Sequence, residues 1–63
     1  MKKRDLDRHL TKNGCHLQRQ GKHEIWANPS NGRRSPVPRH REIPSGTVKS
    51  ICAKLRIPIP VER

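Results

Sequence analysis

Apolar side chains open the chain four residues apart, at Leu6 and Leu10, inside an otherwise polar stretch from about Lys3 to Asn13. That spacing predicts a short amphipathic helix with a narrow apolar stripe. Asp5 and Asp7 sit toward its first turn and Lys12 in its last, the arrangement that suits the helix dipole. Asn13-Gly14 then stops it, since glycine just past a helix takes left-handed backbone without steric cost. From Cys15 to Gln20 the period shortens to two, with Cys15, Leu17 and Arg19 on one side and His16, Gln18 and Gln20 on the other. Gly21-Lys22 turns the chain, and His23 to Ala27 alternates again, which completes a β-hairpin. Ile25 and Trp26 have opposite parity in that second strand. The reading favours Ile25 inward and Trp26 on the open face, with a simple core role for Trp26 as the alternative.

The cluster Asn28-Pro29-Ser30-Asn31-Gly32 reverses the chain once more. Arg33 to Pro38 follows as a third strand, and Pro36 and Pro38, which cannot donate to a ladder, make it an edge strand or a frayed one. Beyond Pro44, with Ser45 as the candidate cap, Val48, Ile51, Cys52 and Leu55 fall at i, i+3, i+4 and i+7, the cleanest helical period in the chain. Pro58 and Pro60 end that helix and leave an extended tail over residues 57–63. The order α-β-β-β-α predicts an α+β fold in one domain spanning residues 1–63, with both helices on one face of a three-stranded antiparallel sheet. A chain of 63 residues buries only about 60% of its unfolded surface. The expected core is therefore thin and aliphatic: Leu6, Leu10, Leu17, Ile25, Val37, Val48, Ile51 and Leu55, with Cys52 as a small core residue and Cys15 at a strand edge.

Charge changes the picture most. Fifteen lysines and arginines stand against five acidic residues, a net charge of +10. Such a surplus costs stability through self-repulsion and points to a polyanionic partner, nucleic acid first, with an acidic masking protein as a compatible second. No segment joins a basic face to a large apolar one, and no apolar run has transmembrane length, so no membrane partner is expected. The charged start Met1-Lys2-Lys3-Arg4-Asp5 is not followed by the apolar stretch of a signal peptide. Two cysteines outside any Cys-x-x-Cys spacing read as reduced thiols of a cytoplasmic protein. The spacing of His16, His23, His40 and the cysteines matches no compact metal-ligand pair, and neither a metal nor another cofactor is expected.

Candidate chemistry concentrates at Gly21-Lys22-His23-Glu24-Ile25-Trp26. Imidazole exchanges protons near neutrality, and here it follows a glycine-lysine turn at the mouth of a strand. Lys22 brings a cation next to it, and Arg33, Arg34, Arg39 and Arg41 follow on the strand and loop that could lie alongside. Attack of a ribose 2′-hydroxyl on the adjacent phosphodiester needs one proton removed from that oxygen and one delivered to the leaving 5′-oxygen. A positioned histidine can do either, with an effect on the order of 10²–10⁴-fold, while lysines and arginines stabilise the phosphorane charge. His40, flanked by Arg39 and Arg41, reads either as part of a solvated basic loop or as a phosphate contact or second acid/base group. Trp26 on an open face would stack a base or anchor a protein partner. His9 and His16 read as surface residues.

These motifs, in this order, resemble the HicA toxin family of bacterial HicA–HicB toxin–antitoxin pairs, from Lys3-Arg4-Asp5-Leu6 to Lys54-Leu55-Arg56-Ile57. The resemblance runs through the lysine-rich start, the glycine before the first strand (Gly14) and a Gly-Ser-His motif with an aromatic three residues on, matched by Gly21-Lys22-His23 and Trp26. It continues through Val37-Pro38-Arg39-His40, the helix entry Pro44-Ser45-Gly46-Thr47 and then Val48-Lys49-Ser50-Ile51. It implies a fold similar to double-stranded-RNA-binding domains, mRNA cleavage with His23 as the catalytic residue, and neutralisation by a HicB-like antitoxin. Lys22 departs from the family's usual serine: it could hold phosphate by charge, or repel a protonated His23. RNA contacts are expected at Lys22, Trp26, Arg33, Arg34, Arg39, His40 and Arg41. Two other readings are a non-catalytic basic RNA-binding module, in which His23 only contacts phosphate, and a small ribosome-associated protein.

Overall fold

A computed structural model describes residues 1–61, so the last two residues of the expected tail lie outside the described residues. The element order is α1 (Lys3–Lys12), β1 (His16–Arg19), β2 (Glu24–Asn28), β3 (Arg33–Val37) and α2 (Ser45–Leu55). This is the α+β arrangement that the periodicities predict. The strands form one antiparallel sheet in the order β1-β2-β3. That order puts the proline-bearing strand at an edge, where a missing N–H costs no ladder bond.

α1 ends as its sequence dictates. Asn13 is the C-cap and Gly14 takes φ +84°, and the Cys15 amide reaches back to the Leu10 carbonyl at 2.9 Å. These bonds satisfy carbonyls that the helix end would otherwise leave unpaired. α2 begins one residue away from the expected cap. Pro44 occupies the N-cap and Ser45 is the first helical residue, with no side-chain cap bond.

One cluster holds the core: Leu6 and Leu10 of α1, Val48, Ile51, Cys52 and Leu55 of α2, and Cys15, Trp26, Val37 and Ile43 between them. Trp26 pairs with Ser35, and Glu24 with Val37, so these residues share the sheet face that both helices cover. Ile25 and Ala27, paired with Pro36 and Arg34, share the uncovered face. The expectation for β2 is therefore reversed: Trp26 is 6% exposed and in the core, while Ile25 is only half-buried and lies outside the cluster. The physical reason is size together with a polar partner. The indole fills far more of a thin core than an isoleucine would, and its one N–H finds a carboxylate at the core margin.

β1 departs from simple alternation as well. Its register shifts between Leu17 and Arg19, so Leu17 opposes Trp26 while Arg19 opposes Ile25. The extra residue moves Arg19 to the uncovered face, away from its expected neighbour Leu17. Ile43, missing from the expected core, is 1% exposed. It is fixed by a short pairing with the start of the chain: the Ile43 amide donates to the Met1 carbonyl at 2.7 Å, and the Lys3 amide to the Arg41 carbonyl at 2.8 Å.

Past α2 the chain leaves through Arg56, a non-glycine residue at φ 56°. The Pro58 carbonyl accepts a 2.7 Å hydrogen bond from the His9 imidazole, which fixes the tail to α1, so His9 has a structural partner rather than a purely solvated surface role. Ile59 and Val61 remain exposed.

Candidate active site and nucleic-acid interface

The strand β2 starts at Glu24, one residue later than the alternation suggests, and this leaves His23 on the bend before the sheet. Glu24 fixes that point. Its Oε1 accepts from Lys3 Nζ at 2.8 Å and from the Trp26 indole N–H at 3.0 Å, and Lys3 also bonds Asp7 at 2.6 Å. Burial alone would raise the Glu24 carboxyl. The hydrogen bonds from Lys3 and Trp26, with the charges of Lys3 and Arg39, outweigh it and hold the group below the usual carboxylate range. Burial would likewise lower the Lys3 ammonium, but its bonds to Asp7 and Glu24 and their charges raise it. Both groups are thus fixed in their charged forms beneath the His23 bend.

A second tie holds the bend from the other side. Arg39 Nη1 donates to the Gly21 carbonyl at 3.0 Å, joining the β1–β2 turn to the segment after β3. Gly21 does not use positive φ. Its service here is an exposed carbonyl for Arg39.

His23 is exposed and lines a shallow cleft of about 390 Å³ with Pro36 and Pro38 on one wall and Thr47, Ser50, Ile51 and Lys54 of α2 on the other. The three α2 residues Thr47, Ser50 and Lys54 were not singled out from the sequence, yet a signal was present. They fall at i, i+3 and i+7, one position before the buried Val48, Ile51 and Leu55, so they form the stripe beside the core stripe. Among the described residues no carboxylate and no second imidazole lines this cleft.

The residues expected to grip RNA divide into separate groups. Arg39, His40 and Arg41 line a second cleft of about 590 Å³ with Lys2, Lys3, Arg4 and Asp7 at the start of α1. His40 is therefore in the cationic cleft and not beside His23. Pro38 and Arg39 are consecutive, so the segment after β3 walls both clefts. Arg34 faces the open side of the sheet with Gln18, Arg19, Ile25 and Pro36. Arg33 pairs with Asn28 at the end of β2 opposite His23, roughly 17 Å away at about 3.3 Å per residue. Arg33 and Arg34 are exposed but stand too far along the sheet to touch the same phosphate as His23. Lys22 is exposed on the turn. Trp26 is removed from the RNA-contacting set, because its ring is buried and its indole N–H is taken by Glu24.

Cys15 and Cys52 are free and buried, and burial pushes both thiols up, with the Cys15 charge adding to the effect on Cys52. Neither has the thiolate character of a nucleophile. Among the described residues no three His, Cys, Asp or Glu side chains converge as a metal site, and no helix is long and apolar enough to cross a membrane.

Residues 4–57 match the family model described as HicA toxin of bacterial toxin-antitoxin. Neither a curated protein nor a solved structure matches the chain.

Proposed function

Since the chain belongs to the HicA toxin family of bacterial toxin–antitoxin systems, we propose that it is the toxin that cleaves mRNA, a metal-independent endoribonuclease with His23 as its acid/base residue. The observation that carries this reading is the placement of His23. An exposed imidazole stands on a bend tied down by Arg39 and by the Lys3–Glu24–Trp26 network, at the mouth of an open cleft. Proton transfer needs a titratable group that reaches the substrate while its own backbone stays fixed.

In the reaction His23 takes the proton from the ribose 2′-oxygen as that oxygen attacks the adjacent phosphorus. The 5′-oxygen leaves with a proton taken from solvent water, and the products are a 2′,3′-cyclic phosphate and a 5′-hydroxyl. Lys22 and Arg39, on either side of the bend, stabilise the charge that builds on the non-bridging oxygens. His40 and Arg41, in the cationic cleft, hold backbone phosphates further along the strand. Arg33 and Arg34 add longer-range attraction. The protein acts in the cytoplasm, where mRNA is found. Its neutralising partner is an acidic HicB-like antitoxin that covers His23 and the arginines around it, associating fast and with strong salt dependence.

That no carboxylate or second imidazole among the described residues lines the His23 cleft favours one other reading, a basic RNA-binding module without catalysis. The two part on the chemistry of the products. Purified protein incubated with a defined RNA in chelator yields fragments ending in 2′,3′-cyclic phosphate and 5′-hydroxyl under the first reading, and 2′-O-methylation of the RNA blocks their formation. Intact RNA under all buffers, with binding retained, selects the second.

A further inference from the structure

Resting on the RNA-cleaving reading above, the geometry points to the cleft between β3 and α2 as a seat for one unpaired ribonucleotide, with Lys54 as its phosphate ligand. The walls are chemically divided. Pro36, Pro38 and Ile51 supply an apolar surface, while Thr47 and Ser50 supply two hydroxyls and Lys54 a single ammonium opposite His23. A base or ribose has an apolar face and a polar edge, and a phosphate carries the charge, so one nucleotide fits each part. The volume of about 390 Å³ lies near the lower end of the range that small-molecule pockets occupy, about 300–1,000 Å³. That suits one nucleotide, not a stack of several. A base still paired in a duplex has its edge occupied and its faces stacked, and it cannot enter a cleft walled on both sides.

Charge selects the occupant. Among the described residues Lys54 is exposed and has no ion-pair partner, and none of them brings an acidic side chain to the cleft to cancel it. Lys49, on the same helix, is also exposed but lines a different cleft with Ser45, Val48, Ile59 and Pro60. It therefore provides a charge-matched comparison. The Thr47–Ser50–Lys54 stripe sits on a helix whose adjacent stripe is locked in the core, so the helix backbone that carries these groups meets a ligand in a fixed position.

The test measures binding rather than cleavage, with a single-stranded 2′-O-methyl oligonucleotide of about eight nucleotides, within the span that one small module covers, and with the same sequence annealed as a duplex. Fluorescence anisotropy is recorded for the wild type, Lys54→Ala, Lys54→Gln and Lys49→Ala. Both Lys54 variants are expected to bind the single strand about fivefold more weakly, the upper end for one exposed ion pair. They should also lower the slope of log affinity against log salt by about 0.7, the value for one single-strand phosphate contact. Lys49→Ala should change the single-strand affinity less than either, and duplex affinity should be the same with and without Lys54.

Equal losses for Lys49 and Lys54 would reduce the effect to net charge and overturn the seat. So would an equal loss on the duplex, or polyglutamate displacing the strand as well as RNA of the same charge does. Because the probe cannot be cleaved, these results are independent of whether wild-type protein cuts RNA. A failure of catalysis would remove the nuclease reading and leave the binding result to be judged separately.

Discussion

Lys3 Nζ lies 2.8 Å from Glu24 Oε1, so one ammonium on the first turn of α1 grips the residue that follows His23. The pair is mostly buried, with 15% and 13% of the two side chains exposed. The same carboxylate oxygen accepts the Trp26 indole N–H. Core packing and the position of the candidate catalytic residue are thereby linked through one oxygen atom.

Glu24→Gln removes the charge and keeps the shape. It should cost about 1–3 kcal/mol at neutral pH, because a mostly buried ammonium loses the charge of one of its two carboxylate partners, Asp7 being the other. The pH dependence follows from the sign of the shift. Glu24 is held below the ordinary carboxylate value in the fold. Its contribution is therefore complete above the unfolded value of about 4.3 and is lost as the pH falls through the lower folded value. Lys3 is raised, so its share is complete below the unfolded value of about 10.4 and fades only above that. Urea unfolding at pH 7 and pH 3 should show the gap between wild type and variant narrowing at the acid end. A gap of constant size would contradict the ion-pair account.

Arg39→Ala frees the Gly21 carbonyl and loosens the bend that carries His23. Arg39 is exposed, so stability should fall by no more than about 1 kcal/mol. Catalysis should lose more, about tenfold in kcat/KM, because misplacement of an acid/base residue by a fraction of an ångström is costly. Arg39→Lys should recover little, since a lysine cannot reproduce the guanidinium's fixed donor geometry. Unchanged kcat/KM in both variants would show that the turn holds itself.

Two asparagines, one ending β2 and one in the turn after it, close the end of α2. Asn28 and Asn31 both donate to the Leu55 carbonyl, at 2.9 and 3.0 Å. Asn28 is buried and also accepts from the Ser30 amide, whereas Asn31 is exposed. Asn28→Ala should cost about 2 kcal/mol and Asn31→Ala about 0.5, because water replaces a lost bond only at the exposed position. Equal costs for the two variants in thermal unfolding would contradict this, since both side chains donate to the same Leu55 carbonyl and only their burial differs.

Arg56 holds a left-handed C-cap with φ 56°. Left-handed backbone costs a non-glycine residue roughly 1–2 kcal/mol, and glycine is the usual residue at such a helix end. Arg56→Gly should stabilise the protein by about 0.5–1 kcal/mol, a midpoint rise of about 2–8 °C for a chain of this size. A lower midpoint would mean that the arginine side chain makes a contribution larger than the strain.

The strong periodicities were legible in the sequence. Val48, Ile51, Cys52 and Leu55 announced α2, Asn13-Gly14 ended α1, and Pro36 placed β3 at an edge. Trp26 was misread because parity says only that it and Ile25 point opposite ways. Which of them faces the helices depends on Glu24 being available to the indole, and Glu24 is fixed by Lys3, 21 positions away. Arg19 was misassigned because one extra residue in β1 inverts every side chain after it, and nothing in Leu17-Gln18-Arg19 marks a bulge. His23 was legible as a candidate from its neighbours on the turn. Its cleft was not, because Thr47, Ser50 and Lys54 come together with it only when α2 packs along β3.

The decisive comparison is wild type against His23→Ala on one RNA, with cleavage and binding read from the same samples. The account predicts that the variant binds within about threefold of wild type while cleavage falls by about 10²-fold or more. Equal cleavage rates for the two proteins would contradict it.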